Sequence, residues 1–322
     1  MKKIMFLISD QHLISHGGIG SFCKSFCKMQ KSFGNEVHIV VDKKPTDNFV
    51  YTFVDNFGLT KLGYNDKPLS YSKHQQIFMY GESVNYEKII NFQKIILSLL
   101  EDNSYDYIVV NSQEAFAAIS TINTKSKVIL YTHLYKQILL EQGSNNVLVL
   151  PMPISETDLL VKSDIEKSGV LFIGRWEKGK NPEAYIKIMK QLKLPCKVMT
   201  NKNGEKKFIK AFTENGITDY IIKSEITGKE KIDFIKSCKV SFNCSLIENY
   251  PFSFIECVGH MPVVVLDQQN WSNNFDEKYY HKTNISKAVN LINDLYNKPY
   301  NDDALSYVNQ LHTNSISSWK NL

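Results

Sequence analysis

Arginine is almost absent from this sequence. Of its 38 basic side chains, Arg175 is the one arginine and the others are lysines. This excludes a protein that binds its ligands through many arginines. An arginine guanidinium binds phosphate or carboxylate through two parallel hydrogen bonds, whereas a lysine ammonium acts as a point charge. A chain rich in lysine, asparagine and isoleucine with one arginine is typical of an AT-rich genome. The arginine that remains predicts a position where lysine does not suffice.

Long apolar runs and paired-cysteine motifs are also missing. No apolar segment approaches the roughly 20 residues that cross a bilayer, and the first strand-like stretch, residues 4–8, is too short for the core of a signal peptide. None of the six cysteines forms a Cys-x-x-Cys pair, so zinc and redox motifs are unsupported and buried free thiols are expected. No Asp/Glu/His cluster with metal-ligand spacing is visible. These absences predict a cytoplasmic protein that needs no metal.

Length and composition predict two ordinary globular domains. The chain has 322 residues, or about two domains at roughly 150 residues each. With 43% hydrophobic and 22% charged residues it lies near the globular average, which excludes a disordered chain, a collagen and a small disulfide-stapled protein. The formal net charge of +5 favours an anionic partner without requiring one.

Strand-like and helix-like segments alternate in both halves of the chain. The alternation begins with a strand at residues 3–8 and a helix at 21–33, and it restarts at residue 169 after a linker at about 151–167. Strands alternating with helices imply parallel sheets with right-handed crossovers. We expect an α/β protein of two Rossmann-like, doubly wound domains that face a cleft. The predicted divisions are an N-terminal domain, a C-terminal domain and two final helices that pack back toward the first domain: residues 1–155, 168–283 and 284–322.

Two motifs at predicted strand ends can hold an anion, and ligands of such sheets bind at the carboxyl ends of the strands. In Gly17-Gly18-Ile19-Gly20 the glycines let the backbone approach a ligand, and the helix that follows offers free N–H groups. A plain glycine-rich turn explains this motif equally well. Arg175 and Lys180 share one loop before a helix, so two cations and a helix N-terminus can neutralise a diphosphate. The alternative is a solvated basic loop, which the position of the lone arginine disfavours.

Two further motifs supply carboxylates and an imidazole. If Glu248 and Glu256 were both helical, about 12 Å would separate them, more than the roughly 5–9.5 Å between paired glycosidase carboxylates. We therefore expect Glu248 in a loop and Glu256 on a helix that begins near Pro251, each binding a different part of one elongated ligand. Two surface glutamates are the simpler interpretation of this motif alone. His133 ends another strand, where it can bind a sugar or serve a structural role.

Taken in this order, the four motifs resemble those of retaining nucleotide-sugar glycosyltransferases with the GT-B fold, in the glycogen-synthase-like group that carries an E-x7-E motif. The resemblance covers most of the chain and is poorest over residues 43–80. It implies an N-terminal domain that binds the acceptor and a C-terminal domain that binds a nucleotide sugar. It also implies transfer of a sugar from a UDP-sugar to a hydroxyl, with retention of configuration and without a metal.

The resemblance implies a role for each matching residue. Its catalytic set comprises the diphosphate-binding cations and two groups near the donor sugar: Arg175, Lys180, His133 and Glu248. The other donor-binding positions are three loop glycines, two backbone amides and a glutamate that holds the ribose hydroxyls: Gly17, Gly18, Gly20, Phe252, Ser253 and Glu256. One departure concerns Asn249-Tyr250-Pro251-Phe252, which replaces the usual Gly-Phe-Gly-Leu and removes the flexibility of glycine on the sugar side.

Within this group, the chain is most similar to bacteriophage enzymes that glycosylate 5-hydroxymethylcytosine in DNA. The similarity lies in residues 107–112, 127–133 and 173–175. It implies duplex DNA as a partner, a base that leaves the stack as acceptor, and the host cytoplasm as location. The phosphate-binding surface is expected in a lysine- and tyrosine-rich segment, at Lys43, Lys44, Lys61, Lys67 and Lys73 among Tyr51, Tyr64 and Tyr71, unless this segment is an ordinary solvated face.

Three other functions stay open. A bacterial enzyme that builds polysaccharide or lipopolysaccharide shares every donor motif, although residues 86–100, the nearest membrane-docking candidate, carry acidic neighbours at Glu87, Glu101 and Asp102. A nucleotide-sugar epimerase of the same architecture would convert a free nucleotide sugar with no acceptor. A silent binding module would bind UDP without turnover.

Overall fold

The computed structural model resolves the chain into two compact units. It describes residues 1–8, 18–41, 86–102, 104–130, 146–246, 248, 251–266, 275–300 and 303–322. The first unit comprises Met1–Met152 with Ser315–Leu322, and the second comprises Pro153–Asn314. Each unit is built around its own parallel sheet.

The first unit holds a five-stranded sheet in the order β2-β1-β3-β4-β5, in which every pair of neighbouring strands is parallel. Its strands are β1 (Lys3–Leu7), β2 (Glu36–Val40), β3 (Tyr107–Val110), β4 (Lys127–Leu130) and β5 (Val147–Val149). Its described helices are α1 (Gly18–Ser32), α2 (Tyr86–Asp102) and α3 (Gln113–Ile119). Strand β3 is a continuous apolar run, as expected where helices cover the sheet, and the apolar sides of α2 and α3 share one core with it. Strand β2 instead carries the polar Glu36 and His38.

The second unit holds a six-stranded parallel sheet in the order β11-β10-β9-β6-β7-β8. Its strands are β6 (Val170–Ile173), β7 (Cys196–Thr200), β8 (Tyr220–Ser224), β9 (Val240–Asn243), β10 (Val263–Leu266) and β11 (His281–Thr283). Its helices are α4 (Pro182–Leu192), α5 (Lys202–Glu214), α6 (Gly228–Lys236), α7 (Phe252–Val258) and α8 (Ile285–Tyr296). The final helix, α9 (Asp303–Lys320), contributes residues to both units.

Alternate side chains of β6 define the two faces of the second sheet. Leu171 packs into the core beneath α6 and α7, while Phe172 packs into the core beneath α4 and α5. This alternation is the two-residue period of a strand that is buried on both sides. The prediction of two Rossmann-like α/β domains with parallel sheets is therefore confirmed.

The ends of the helices differ from the sequence prediction at a few places. Helix α1 begins at Gly18 rather than residue 21, so Gly18 lies in the helix and not in a loop before it. Helix boundaries read from a sequence are uncertain by a few residues, because the N–H groups of the first turn have no intrahelical acceptor and leave no periodic signal. Helix α3 and strand β11 were not predicted, since seven and three residues are too few to show a hydrophobic period.

Candidate functional site

The candidate site lies where the strand order of the second sheet reverses. Strand β6 pairs with β7 on one side and with β9 on the other, so the chain segments that leave β6 and β9 run side by side. Ligands of open α/β sheets bind at such a point, outside the carboxyl ends of the strands. Several contacts join the segments. Among them, the N–H of Leu246 donates to the carbonyl of Gly179 at 2.7 Å, and the Cys244 thiol lies 3.2 Å from the carbonyl oxygen of Asn181.

An ion pair between Lys180 and Glu248 occupies this point. Lys180 Nζ lies 2.5 Å from Glu248 Oε1, and the glutamate side chain is 8% exposed. The Lys180 stem passes over Gly174, where an added Cβ would come within 3.2 Å of Lys180 Cγ. The glycine thus makes room for the lysine. The sequence placed these two residues in one site, and the fold brings them into direct contact across 68 positions of sequence.

The local backbone holds Lys180 at the start of α4. A short 3-10 turn, Lys178–Lys180, ends at Asn181, whose φ of 52° and ψ of 51° are left-handed. Asparagine tolerates this conformation better than most residues, and Pro182 then begins the helix with a preset φ. Lys180 therefore lies two positions before the first residue of α4, and both a lysine and a helix N-terminus favour a bound anion.

Arg175 does not join the Lys180–Glu248 pair. Its side chain is 61% exposed, and Nη1 lies 2.9 Å from Oε1 of Glu177 on the same loop. The next residue, Trp176, points inward and packs edge-on against Phe208 with ring centroids 4.7 Å apart. Both cations of the predicted diphosphate site are thus paired with glutamates. That Arg175 and Lys180 bind one diphosphate stays a prediction.

The second glutamate of the motif is also ion-paired. Glu256 lies on α7, and its Oε1 is 2.5 Å from Nζ of Lys231 on α6. The two side chains are 7% and 12% exposed, so this is a buried pair between two helices. Glu248 lies before α7 and Glu256 within it, as expected from the motif. Lys231 was missed, although its spacing of four residues from the buried Ile235 indicates a shared helix face.

The remaining predicted residues are placed as follows. Phe252 and Ser253 are the first two residues of α7, after Pro251. Gly18 and Gly20 lie in the first turn of α1, and Gly20 is buried. His133, Gly17 and the lysine- and tyrosine-rich segment from Lys43 to Lys73 lie outside the described residues, as do Asn249 and Tyr250. Their predicted roles stay predictions.

The buried thiols near the site are not nucleophiles. Cys244 follows β9, and burial raises the pKa of its thiol to about 12. Burial likewise raises the pKa of the Cys257 thiol, next to Glu256, far above its ordinary value. The nucleophile of cysteine chemistry is the thiolate, so both side chains act as small apolar groups here. All six cysteines are free and buried, which agrees with the sequence prediction.

Two buried polar groups that sequence reasoning missed lie at strand ends. Asn111 Nδ2 and Thr200 Oγ1 are buried and have no hydrogen-bond partner among the described residues. Asn111 directly follows β3, and Thr200 is the last residue of β7. Buried polar groups normally have hydrogen-bond partners, so such atoms at the ligand-binding edge of a sheet are candidates for contact with a ligand. The available signal was a polar residue at the end of a buried apolar run.

Over the part of the chain that the structure describes, no group of three His, Cys, Asp or Glu side chains is placed to hold a metal ion. Over the same part, no helix is long and apolar enough to cross a membrane.

Comparison with known proteins shows the fold. No protein-family model and no curated protein matches the sequence. Among solved structures, the lipopolysaccharide outer core galactosyltransferase WaaB is 13% identical, with 99% of this chain and 98% of that chain covered and a TM-score of 0.60. HepE from Anabaena, in complex with UDP-glucose, is 11% identical, with 100% of both chains covered and a TM-score of 0.61.

An enzyme of another class shares this architecture. The UDP-GlcNAc 2-epimerase of Methanocaldococcus jannaschii, in complex with UDP-GlcNAc and UDP, is 11% identical, with 97% of this chain and 99% of that chain covered and a TM-score of 0.54. Likenesses at this level of identity establish that the chain has the GT-B fold, as predicted. Because both transferases and an epimerase have this fold, activity must be argued from the site.

Proposed function

We propose that this protein is a glycosyltransferase that moves a sugar from a UDP-sugar to an acceptor hydroxyl. The observation that carries the proposal is the part-buried Lys180–Glu248 pair at the point where the strand order reverses. Support also comes from the second glutamate of the E-x7-E motif, which is buried on the helix that follows. WaaB and HepE, which have the same fold, are a galactosyltransferase and a protein crystallised with UDP-glucose.

The side chains of the site suit the charge that develops during sugar transfer. Breaking the glycosidic bond leaves negative charge on the departing diphosphate. The Lys180 ammonium and the start of α4 would stabilise this charge as it forms, which lowers the barrier without a metal ion. Glu248, next to Lys180, would then contact the donor sugar. Front-face attack by the acceptor hydroxyl, whose proton would pass to the departing diphosphate, would retain the configuration.

Glu256 suits the ribose of the nucleotide. Lys231 holds Oε1, and no described residue donates a hydrogen bond to Oε2. A carboxylate oxygen accepts hydrogen bonds from hydroxyl groups, and such charge-assisted bonds are stronger than neutral ones. The carboxylate would therefore accept from the ribose hydroxyls while Lys231 keeps it in place.

For the acceptor we propose 5-hydroxymethylcytosine in duplex DNA. The support is the resemblance over residues 107–112, 127–133 and 173–175 and the formal net charge of +5, which suits a polyanionic acceptor. The second candidate is a polysaccharide or lipopolysaccharide acceptor, which is favoured by the likeness in fold to WaaB. An epimerase is the third, favoured by the likeness to the archaeal enzyme.

The acceptor is tested by following UDP release from UDP-sugars. Separate reactions contain hydroxymethylated duplex DNA, unmodified duplex DNA of the same sequence, or lipid-linked saccharide, each with and without EDTA. Release with hydroxymethylated DNA alone, unchanged by EDTA, is the expected result. Release with the lipid-linked saccharide alone would assign the second candidate. Conversion of the nucleotide sugar with no acceptor would assign the epimerase, and UDP binding without turnover would refute glycosyl transfer.

The role of Arg175 is tested by Arg175→Lys, which keeps the charge and removes the planar fork. If the fork binds the diphosphate, kcat/KM should fall roughly 10- to 100-fold, the equivalent of about 1.5–3 kcal/mol for a hydrogen bond to a charged group. Glu177→Gln is the matched control because it breaks the Arg175–Glu177 pair and leaves the guanidinium intact. Equal losses in both variants would show that the arginine serves only its surface ion pair.

A further inference from the structure

The basic charge of the protein is concentrated in one segment of the second unit. Residues 182–214, which span α4, β7 and α5, contain eight lysines and three glutamates, a net charge of +5. The complete chain has 38 basic and 33 acidic residues, so its formal net charge is also +5. The rest of the chain, with 30 residues of each sign, is therefore neutral. A surface that attracts anions is expected where the excess lies.

The fold gathers these lysines on one side of the sheet. Helices α4 and α5 lie next to each other because Tyr185 and Phe208 both pack on Phe172, with ring centroids 5.3 and 5.2 Å away. The outward sides of the two helices and their ends then present seven exposed lysines, which we term the lysine face: Lys187, Lys190, Lys193, Lys202, Lys206, Lys207 and Lys210. The eighth, Lys197, is buried and donates to the carbonyl of Ser237.

Few acidic side chains offset the lysine face. Lys202 lies 3.7 Å from Glu225 and Lys210 lies 3.8 Å from Glu214, and all four side chains are well exposed. Exposed pairs at these distances are weak, so their lysines stay open to other anions. Within the described residues, the other five lysines of the face have no ion pair. The face therefore carries a positive field that the protein itself leaves largely uncompensated.

We propose that the lysine face binds the phosphate backbone of duplex DNA. Lysines on two adjacent helices supply the spaced point charges that bind phosphates without reading sequence. An anionic membrane is the weaker match, because membrane-surface helices also present large apolar residues. Here Ile209 is the one large apolar residue of 182–214 that is exposed, at 41%, and the aromatic Phe208 and Phe212 of α5 are fully buried. The inference rests on the proposed DNA acceptor and adds a second phosphate-binding surface to the one predicted in the segment from Lys43 to Lys73, which stays a prediction.

The experiment compares two triple variants of the full chain. In Lys187→Gln/Lys206→Gln/Lys207→Gln, three unpaired lysines of the face are neutralised. In Lys28→Gln/Lys31→Gln/Lys125→Gln, three exposed lysines of the first unit are neutralised, so the net charge changes equally. Binding to unmodified duplex DNA is measured by fluorescence anisotropy from 50 to 200 mM salt. Binding to phosphatidylglycerol vesicles is measured in parallel, and the thermal midpoint confirms folding.

The lysine-face variant should bind DNA at least about tenfold more weakly at 0.1 M salt. The slope of log binding constant against log salt concentration should be shallower by about 0.9 for each phosphate that the variant no longer neutralises. The first-unit variant should bind like the wild type. Equal losses in the two variants, or a loss of vesicle binding with unchanged DNA binding, would overturn the inference.

The outcome for the surface is separable from the outcome for the acceptor. If the lysine-face variant loses affinity for unmodified DNA while hydroxymethylated DNA proves not to be glycosylated, the surface stands and the proposed acceptor is wrong. If hydroxymethylated DNA is glycosylated with the same KM by both variants, the acceptor stands and the surface is wrong.

Discussion

Removing the cation of the buried Lys231–Glu256 pair is expected to destabilise the second unit strongly. In Lys231→Met the stem is kept and the ammonium is lost, which leaves the Glu256 carboxylate buried without a counterion. Breaking a buried ion pair in this way lowers the free energy of unfolding by about 3–5 kcal/mol, because the remaining charge has lost its hydration and has no counterion. Both side chains are less than one-eighth exposed, so solvent screening reduces this figure little.

The expected change in melting temperature follows from the size of the unit. Pro153 to Asn314 is 162 residues, and for a domain of this size about 1 kcal/mol shifts the midpoint by roughly 2–4 °C. The midpoint should therefore fall by about 6–20 °C in scanning calorimetry of the full chain. The matched control is Lys223→Met, which breaks the exposed pair between Lys223 and Glu230 at 3.0 Å and should cost less than about 1 kcal/mol.

A double variant separates stability from ligand binding. Lys231→Met/Glu256→Gln removes both charges, so most of the lost stability should return. Affinity for UDP, measured by titration calorimetry, should stay low, because the carboxylate proposed to bind the ribose is gone. Recovery of both stability and UDP affinity would show that Glu256 is structural. A midpoint of Lys231→Met within about 2 °C of the wild type would refute the burial argument itself.

Two further predictions concern the core of the second unit. Gly204→Ala should lower the free energy of unfolding by about 1–3 kcal/mol, because the new Cβ would lie 2.1 Å from Thr200 Oγ1. Thr200→Ala/Gly204→Ala should regain much of this stability, as measured by thermal denaturation. An unchanged midpoint in the single variant would contradict this close packing. Burial lowers the pKa of His260 to about 4, so the unfolded state binds a proton that the folded state excludes as the pH falls from 6.5 to 4. Stability should be full above pH 6.5 and fall by about 3 kcal/mol through that window. His260→Gln should reduce the fall of the melting temperature between pH 7 and 4. A smaller fall should remain from His281 and His312, whose pKa values burial also lowers. If the melting temperature of the variant falls with pH as steeply as that of the wild type, this assignment is wrong.

The fold was predictable because each element carries its own periodic signal. Strands such as Val170–Ile173 are unbroken apolar runs, and helices such as Pro182–Leu192 show apolar residues at helical spacing between a proline start and a positively charged end. Alternation of the two types requires parallel sheets and right-handed crossovers, which leaves few topologies. The elements missed, Gln113–Ile119 and His281–Thr283, are too short to carry such a signal.

The candidate site was predictable as a set of residue types and only partly as a set of contacts. The glutamates eight residues apart and the cations after β6 are local patterns, and their chemistry could be named. The ion-pair partner of each charge could not be predicted, because the partners are distant in sequence. Lys180 contacts Glu248 across 68 positions, and Lys231 contacts Glu256 across 25. The exposed position of Arg175 beside Glu177 could not be predicted either, because both residues lie on a loop and hydrophobic periodicity gives no information about loops.

The amino-acid sequence by itself determined the class of fold, the limits of most helices and strands, and the segment in which the positive charge lies. These properties depend on neighbours within a few turns of chain. Tertiary structure decided which charges neutralise one another and which stay open to a ligand. That choice depends on strand order, because the order β11-β10-β9-β6-β7-β8 places the ends of β6 and β9 side by side and sets α4 next to α5.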